Sequence, residues 1–198
     1  MSTDARNSTS RPPDSQPRLH QQGLVTQEYR HLPLLPSALG HDVRLQSVAL
    51  LNQILADSQI LYGLYKKHHR LMRDPTFYSL HLLLDEHARA QLELIDALAE
   101  RVQVLGGVAV GDPWHVVELT ALPRPPAGVE EVPVMLSRLL DCHETVITKV
   151  RRTVDRTSAV HDDRTADLLT GQVLREHEAQ VWFLAEHLVQ TSLAVVDG

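Results

Sequence analysis

HLLLDEHARAQLELIDALAER, residues 81–101, decides the reading of this chain. Its apolar residues recur at three- and four-residue intervals without a proline or glycine, which predicts one uninterrupted helix. His81 and Asp85 stand four apart, as do Asp96 and Glu100, and eleven positions separate Asp85 from Asp96. At about 100° per residue these four side chains fall at roughly 0°, 40°, 60° and 100°, so they share one face. Along the axis, however, Asp85 and Asp96 are roughly 16 Å apart at about 1.5 Å per residue. Metal bonds to nitrogen or oxygen span only about 2.0–2.6 Å, so one chain cannot bring both pairs to one ion. A second copy packed antiparallel about a two-fold axis near residues 90–91 removes the difficulty. His81 and Asp85 of each copy then face Asp96 and Glu100 of the other, giving two equivalent intersubunit sites, and the two-fold dimer is the commonest oligomer.

Charged residues at i and i+4 more often form a solvated helix face. This set differs in lying directly beside the apolar stripe and in containing no Lys or Arg. The mixed imidazole and carboxylate donors suit iron, manganese or zinc better than a soft metal. His69, twelve residues before His81 at the end of the preceding helix, could reach the same site.

Outward from this helix the chain reads as all-α. Val48, Leu51, Leu55, Ser58, Tyr62, Tyr65 and His69 follow helical spacing, and Arg73-Asp74-Pro75 ends that helix. The second helix runs from about 76 to 105 and stops at Gly106-Gly107. A proline-rich connection, 108–128, contains PWHVVELT, expected as a short helix. A third helix is expected over about 130–157 and a fourth over 163–190, with Val173, Val181, Leu184 and Leu188 inward. The expected architecture is a four-helix bundle over 42–190 with a long link between helices 2 and 3. A flexible tail, 1–41, precedes it and a short C-terminal tail, 191–198, follows. The Ser-, Pro- and Gln-rich first half of the tail cannot bury enough apolar surface to fold alone, and LPLLPSALG (32–40) is expected to dock in extended form.

Composition narrows the function. Aromatic residues are 4% of the 198, so the core is aliphatic, and the net charge is −6. Such a chain has no global attraction to DNA or to anionic membranes. The tail's Arg6, Arg11, Arg18 and Arg30 are offset by Asp4, Asp14 and Glu28, a weak anchor for phosphates. The single cysteine, Cys142, excludes an intrachain disulfide and points to a reducing compartment. No apolar run is long enough to span a bilayer, and no secretory signal is visible. The expected location is the cytoplasm, with nucleoid association open.

HHRLMRDPTFYSLHLLLDEHARAQLELIDALAERVQVLGGVAVG, residues 68–111, resembles the signature region of the Dps family, ferritin-like proteins that protect DNA during starvation. The resemblance rests on His69, His81, Asp85, Asp96 and Glu100 with the following AER and LGG, extends through TADLLTGQ (165–172) and VWFLAEHL (181–188), and spans about residues 42–190. It implies a dodecameric shell of four-helix subunits with di-iron centres at the dimer interface. There His69, His81 and Asp85 come from one subunit, and Asp96 and Glu100 from its mate. The implied chemistry is ferroxidase: oxidation of Fe(II), commonly by hydrogen peroxide or else by O2, with ferric mineral stored in the cavity. Asp85 and Glu100 are the candidates for bridging or shared coordination. Two alternatives stay open. One is a shell that compacts DNA, which the acidic charge disfavours. The other is a structural cage whose centres hold zinc without turnover.

The sequence departs from the family pattern at Arg70, where a tryptophan linked to radical quenching is common. Tyr65 or Tyr78 could stand in for it. His68 is the competing first ligand, although spacing favours His69. His87 is expected at the surface or an interface, and His177 as a core histidine or an added ligand. His20, His31 and His41 are expected to be solvated, with a separate metal as the alternative. Trp114 and Trp182 are expected to pack, and Cys142 to be a small buried apolar residue.

Overall fold

The computed structural model describes residues 19–73 and 77–189. Among them the regular structure is entirely helical: α1 (His41–Leu71), α2 (Phe77–Val104), α3 (Pro113–Leu119), α4 (Val132–Ala159), α5 (Asp163–Leu168), a π-helical segment (Leu169–Leu174) and α6 (Arg175–Glu186). The last three run on as one helical rod, ending before the expected residue 190. The acidic and basic groups of residues 1–18, the Asp74-Pro75 turn and the 191–198 tail lie outside the described residues.

Side-chain pairings give the topology. At one end of the α1–α2 pair His69 meets His81; at the other, Arg44 donates to the Leu105 carbonyl at 3.0 Å. The two helices are therefore antiparallel. Asp57–Lys149 and Tyr65–His143 run in opposite senses along α1 and α4. Gln91–Gln180 and Arg101–Asp162 do the same for α2 and the final rod. The order is up-down-down-up, with one long crossover between α2 and α4 carrying α3, a ferritin-like arrangement.

The crossover is held by buried polar groups on α1. Asn52 donates to the Val108 carbonyl at 3.0 Å and accepts from the Val110 N–H at 2.9 Å. Asp57, wholly buried, accepts from the Thr120 hydroxyl at 2.8 Å and the Ala121 N–H at 2.7 Å, and pairs with Lys149. α3 starts at Asp112, whose carboxylate caps the His115 N–H, with Pro113 in the first turn where no N–H is needed.

α2 ends in a Schellman turn: Gly107 N–H to Val102 O at 2.9 Å and Gly106 N–H to Gln103 O at 2.8 Å, with Gly106 at φ +84°. A Cβ on Gly107 would meet the Val48 methyls at 2.6 and 2.7 Å, so this glycine sets how closely α2's end approaches α1. The segment before α1 folds back over the same turn. Gln27 donates to the Gly106 carbonyl at 2.9 Å, Leu32 is buried, and Arg44 reaches both the Pro33 and Leu105 carbonyls.

The core is aliphatic: Leu51, Ile54, Leu55, Leu61, Leu84, Leu98, Leu139, Val146, Leu169 and Leu184 are buried. Cys142 is buried with them, and burial pushes its thiol up to about 11. Two expectations are corrected. His87 is buried, not superficial, because 84, 87, 91 and 94 continue the inward stripe of α2 at helical spacing. Trp114 and Trp182 do not enter the core; they stand 79% and 60% exposed, with the Trp182 ring lying against Phe183 at 4.8 Å. No helix among the described residues is long and apolar enough to cross a membrane.

Candidate metal centre

The turn between α1 and α2 brings His69 and His81 together. Their rings stack at 3.7 Å between centroids. His69 Nδ1 lies 2.8 Å from the His81 carbonyl and His81 Nδ1 lies 3.0 Å from the His69 carbonyl. A carbonyl only accepts, so each Nδ1 carries the proton and each Nε2 keeps its lone pair. A metal-binding imidazole needs this tautomer, fixed by a hydrogen bond on its other nitrogen. Both rings are half-buried. His68 points the other way: it is wholly buried, neither ring nitrogen has a partner, and burial lowers its pKa to about 4.

Asp85, one turn beyond His81, is half-buried and gripped by Lys66 from α1 and Arg89 from its own helix. The Lys66 hydrogen bond holds the carboxyl below the usual carboxylate range despite the opposing effect of its partial burial, and the charges of Lys66, Arg89 and His69 add to it. Asp96 and Glu100 lie farther along the same helix face and are exposed. They do not join the His69–His81–Asp85 group within the chain. Among the described residues, no group of three or more His, Cys, Asp or Glu side chains gathers to hold a metal ion. His69 and His81 supply two lone pairs; any fuller set needs carboxylates from elsewhere.

The face carrying these groups is partly apolar. Leu82 and Leu92 are 51% and 46% exposed, and they share the stripe with Asp85, Asp96 and Glu100 and, against the expectation of a face without Lys or Arg, with Arg89, which pairs with Asp85. The second half of α2 is braced from behind. Arg101, next to Glu100, pairs with buried Asp162 at 2.6 Å and donates to the Thr165 hydroxyl at 2.9 Å. Burial would raise the Asp162 pKa, but the neighbouring Ser47 hydroxyl, the Thr165 hydrogen bonds and the Arg101 charge outweigh it and hold the carboxylate ionised. α1 thus holds both ends of α2, and the start of α5 adds a second hold at the Glu100 end.

A second polar group lies inside the bundle, where the spacing argument had not looked. Tyr65, His87, Gln91, His143, His177 and Gln180 are all buried. The sequence signal was available in the last helix: buried residues 165, 169, 173 and 177 recur every four positions. That run drifts off an α-helical stripe, and the π-helical segment absorbs the drift and turns His177 and Gln180 inward.

Comparison with known proteins places the fold. The ferritin-like domain family matches residues 48–194. An uncharacterized protein of the bpoA2 5′ region of Kitasatospora aureofaciens is 57% identical over 148 residues, which is 75% of this chain and 99% of the relative. The DNA protection during starvation protein of Agrobacterium fabrum is 32% identical over 146 residues, 73% of this chain and 89% of that protein. Among solved structures, DpsC from Streptomyces coelicolor superimposes with a TM-score of 0.85 at 58% identity, covering 86% of this chain and 99% of that one.

Proposed function

The chain belongs to the ferritin-like family, in its Dps branch, and from that membership we propose that it takes Fe(II) as substrate and oxidises it at centres shared between two subunits. Hydrogen peroxide is the proposed oxidant, and the ferric product is stored inside a dodecameric cage, which keeps iron and peroxide from damaging DNA.

The observation that carries this reading is the reciprocal pair of His69 and His81 hydrogen bonds, which leaves two Nε2 lone pairs at one half-buried site. Asp85 adds a carboxylate on release from Lys66. Asp96 and Glu100 of a second copy complete the donor set: a two-fold axis between residues 90 and 91 places Asp85 opposite Asp96 and His81 opposite Glu100. Exposed Leu82 and Leu92 supply apolar surface for that contact. Carboxylate donors favour Fe(III) over Fe(II) and so pull the oxidation forward.

The test is anaerobic Fe(II) loading followed by peroxide, read as ferric absorbance and peroxide loss. His81→Ala/Asp85→Ala and Asp96→Ala/Glu100→Ala are each expected to lose rapid oxidation. Chains of the two variants, co-assembled in equal amounts, regain about a quarter of the sites, since each site needs one intact half from each chain. Co-assembled chains without recovered activity exclude a shared centre. Wild type behaving like buffer, with bound zinc that iron does not displace, replaces the ferroxidase reading with a structural zinc cage. With a net charge of −6, the protein is expected to leave plasmid DNA unshifted at physiological salt, where phosphate binding requires clustered Lys and Arg.

A further inference from the structure

Asp85 is fully engaged within its own chain. Lys66 of α1 holds Oδ1, and Arg89, one turn on along α2, holds Oδ2. A metal taking this carboxylate must displace at least one of the two cations, and they are not equally free to go. The Lys66 side chain is 24% exposed, whereas that of Arg89 is 75% exposed on the outer surface of α2. Arg89 also shares the stripe of Leu82 and Leu92, which the proposed contact between two copies covers. A guanidinium carried into a closing interface needs an acceptor there, since an unpaired charge taken out of water is costly.

Helix geometry names that acceptor. A two-fold axis between residues 90 and 91 sets Arg89 level with Leu92 of a second copy. Glu93 of that copy is one position farther, about 1.5 Å along the helix. The rotation keeps each residue on its own side of the contact line, and Arg89 and Glu93 fall about 40° apart on the same side. Asp96 of the second copy lies about 6 Å along from Arg89 and stands opposite Asp85. Glu93 is exposed and, among the described residues, makes no ion pair, although Arg175 of α6 lines the same groove. Arg89 and Glu93 of one chain are also four apart, but base before acid is the weaker order on a helix. Within the chain the guanidinium goes to Asp85 instead, acid before base.

We propose that Arg89 exchanges Asp85 for Glu93 of a second copy when two chains pair. The exchange makes two identical ion pairs related by the axis, and it frees Asp85 Oδ2 as a donor beside His69 and His81. The carboxylates of the second copy and the uncovered ligand of the first arrive in one step. An isolated subunit, with both oxygens of Asp85 tied, is a poor site for Fe(II). The exchange rests on the shared centre proposed above, but its pairing of charges is testable without iron.

Two charge reversals test it. Arg89→Glu sets acid against acid across its own two-fold contact, and Glu93→Arg sets base against base. When the two variants are co-assembled in equal amounts, a mixed pair carries opposite charges at both contacts, while positions 89 and 93 within each chain still match in sign. Association is followed by sedimentation and native mass spectrometry, with circular dichroism to check that the helices persist. Each variant alone is expected to associate about tenfold more weakly than wild type, and the mixture to recover wild-type association as one-to-one mixed pairs. Variants that associate like wild type, or a mixture no better than either alone, overturn the proposal. Zn(II) calorimetry on the mixed assembly reads the release of Asp85. One class of site is expected; two classes about tenfold apart would mean that Arg89 still holds Asp85 after pairing, and also overturn it. Mixed pairs that form while wild type leaves Fe(II) unoxidised overturn the ferroxidase reading alone. Wild type that stays a monomer overturns the shared centre and the exchange together.

Discussion

Acid should loosen this bundle through its buried imidazoles, and His177 lets the size be worked out. Burial lowers its pKa from 6.5 to about 4, and the side chain is wholly enclosed. The unfolded chain therefore binds a proton that the folded chain refuses between those two values. Stability is full above pH 6.5 and falls as pH drops toward 4, where the folded form also begins to protonate. That difference corresponds to about 3 kcal/mol for this one group. Replacing His177 with Leu removes the titration and the unpartnered Nε2 together. Urea unfolding followed by circular dichroism at a single protein concentration, from pH 7.5 to 4.5, measures the effect. The wild-type curve is expected to lose stability over that range more steeply than His177→Leu by nearly one proton's worth, about 1.4 kcal/mol per pH unit near its steepest. Parallel curves for the two proteins would refute the reasoning, since they would mean that burial does not keep the proton off His177 in the folded state.

Other expectations follow from the same geometry. Asp57→Ala strands the Lys149 ammonium and removes the acceptor that holds residues 120–121; a loss of about 3–5 kcal/mol is expected in thermal or urea unfolding. Gly107→Ala drives a methyl into Val48 and is expected to cost about 1–3 kcal/mol, with most of it recovered in the Gly107→Ala/Val48→Ala pair. Lys66→Met removes the first hold on Asp85 and is expected to raise the carboxyl pKa, read by NMR titration, and to tighten Zn(II) binding in calorimetry; unchanged values in both would show that Lys66 does not guard the ligand. Cys142, buried with its thiol pushed up to about 11, is expected to resist thiol reagents until the bundle unfolds.

Much of the fold was legible because helical periodicity is a local property. The breaks at Arg73 and Gly106-Gly107, the Asp112-Pro113 start of α3 and the single long crossover are written in residue types whose backbone preferences hold in any context. The common face of His81, Asp85, Asp96 and Glu100 needed nothing beyond 3.6 residues per turn, as did the conclusion that one chain cannot gather them. The sequence alone thus determined the helices, the bundle class and the distance that keeps the two pairs of one helix from meeting.

Tertiary structure decided what each polar side chain faces. His68 and His69 are neighbours of one residue type, yet one is sealed in the core and the other lies against His81. The reciprocal carbonyl bonds that select the Nε2 lone pairs, and the Lys66 grip on Asp85, join residues twelve and nineteen positions apart. From the sequence His87 is expected at the surface or an interface, and Gln91 is as polar. They turn inward because α1, α4 and α6 bring Tyr65, His143 and Gln180 to meet them, and a buried donor or acceptor is tolerable only where such partners arrive. Periodicity assigns a residue to a face, but which face is core, and whether a polar group there is satisfied, depends on atoms contributed by distant parts of the chain.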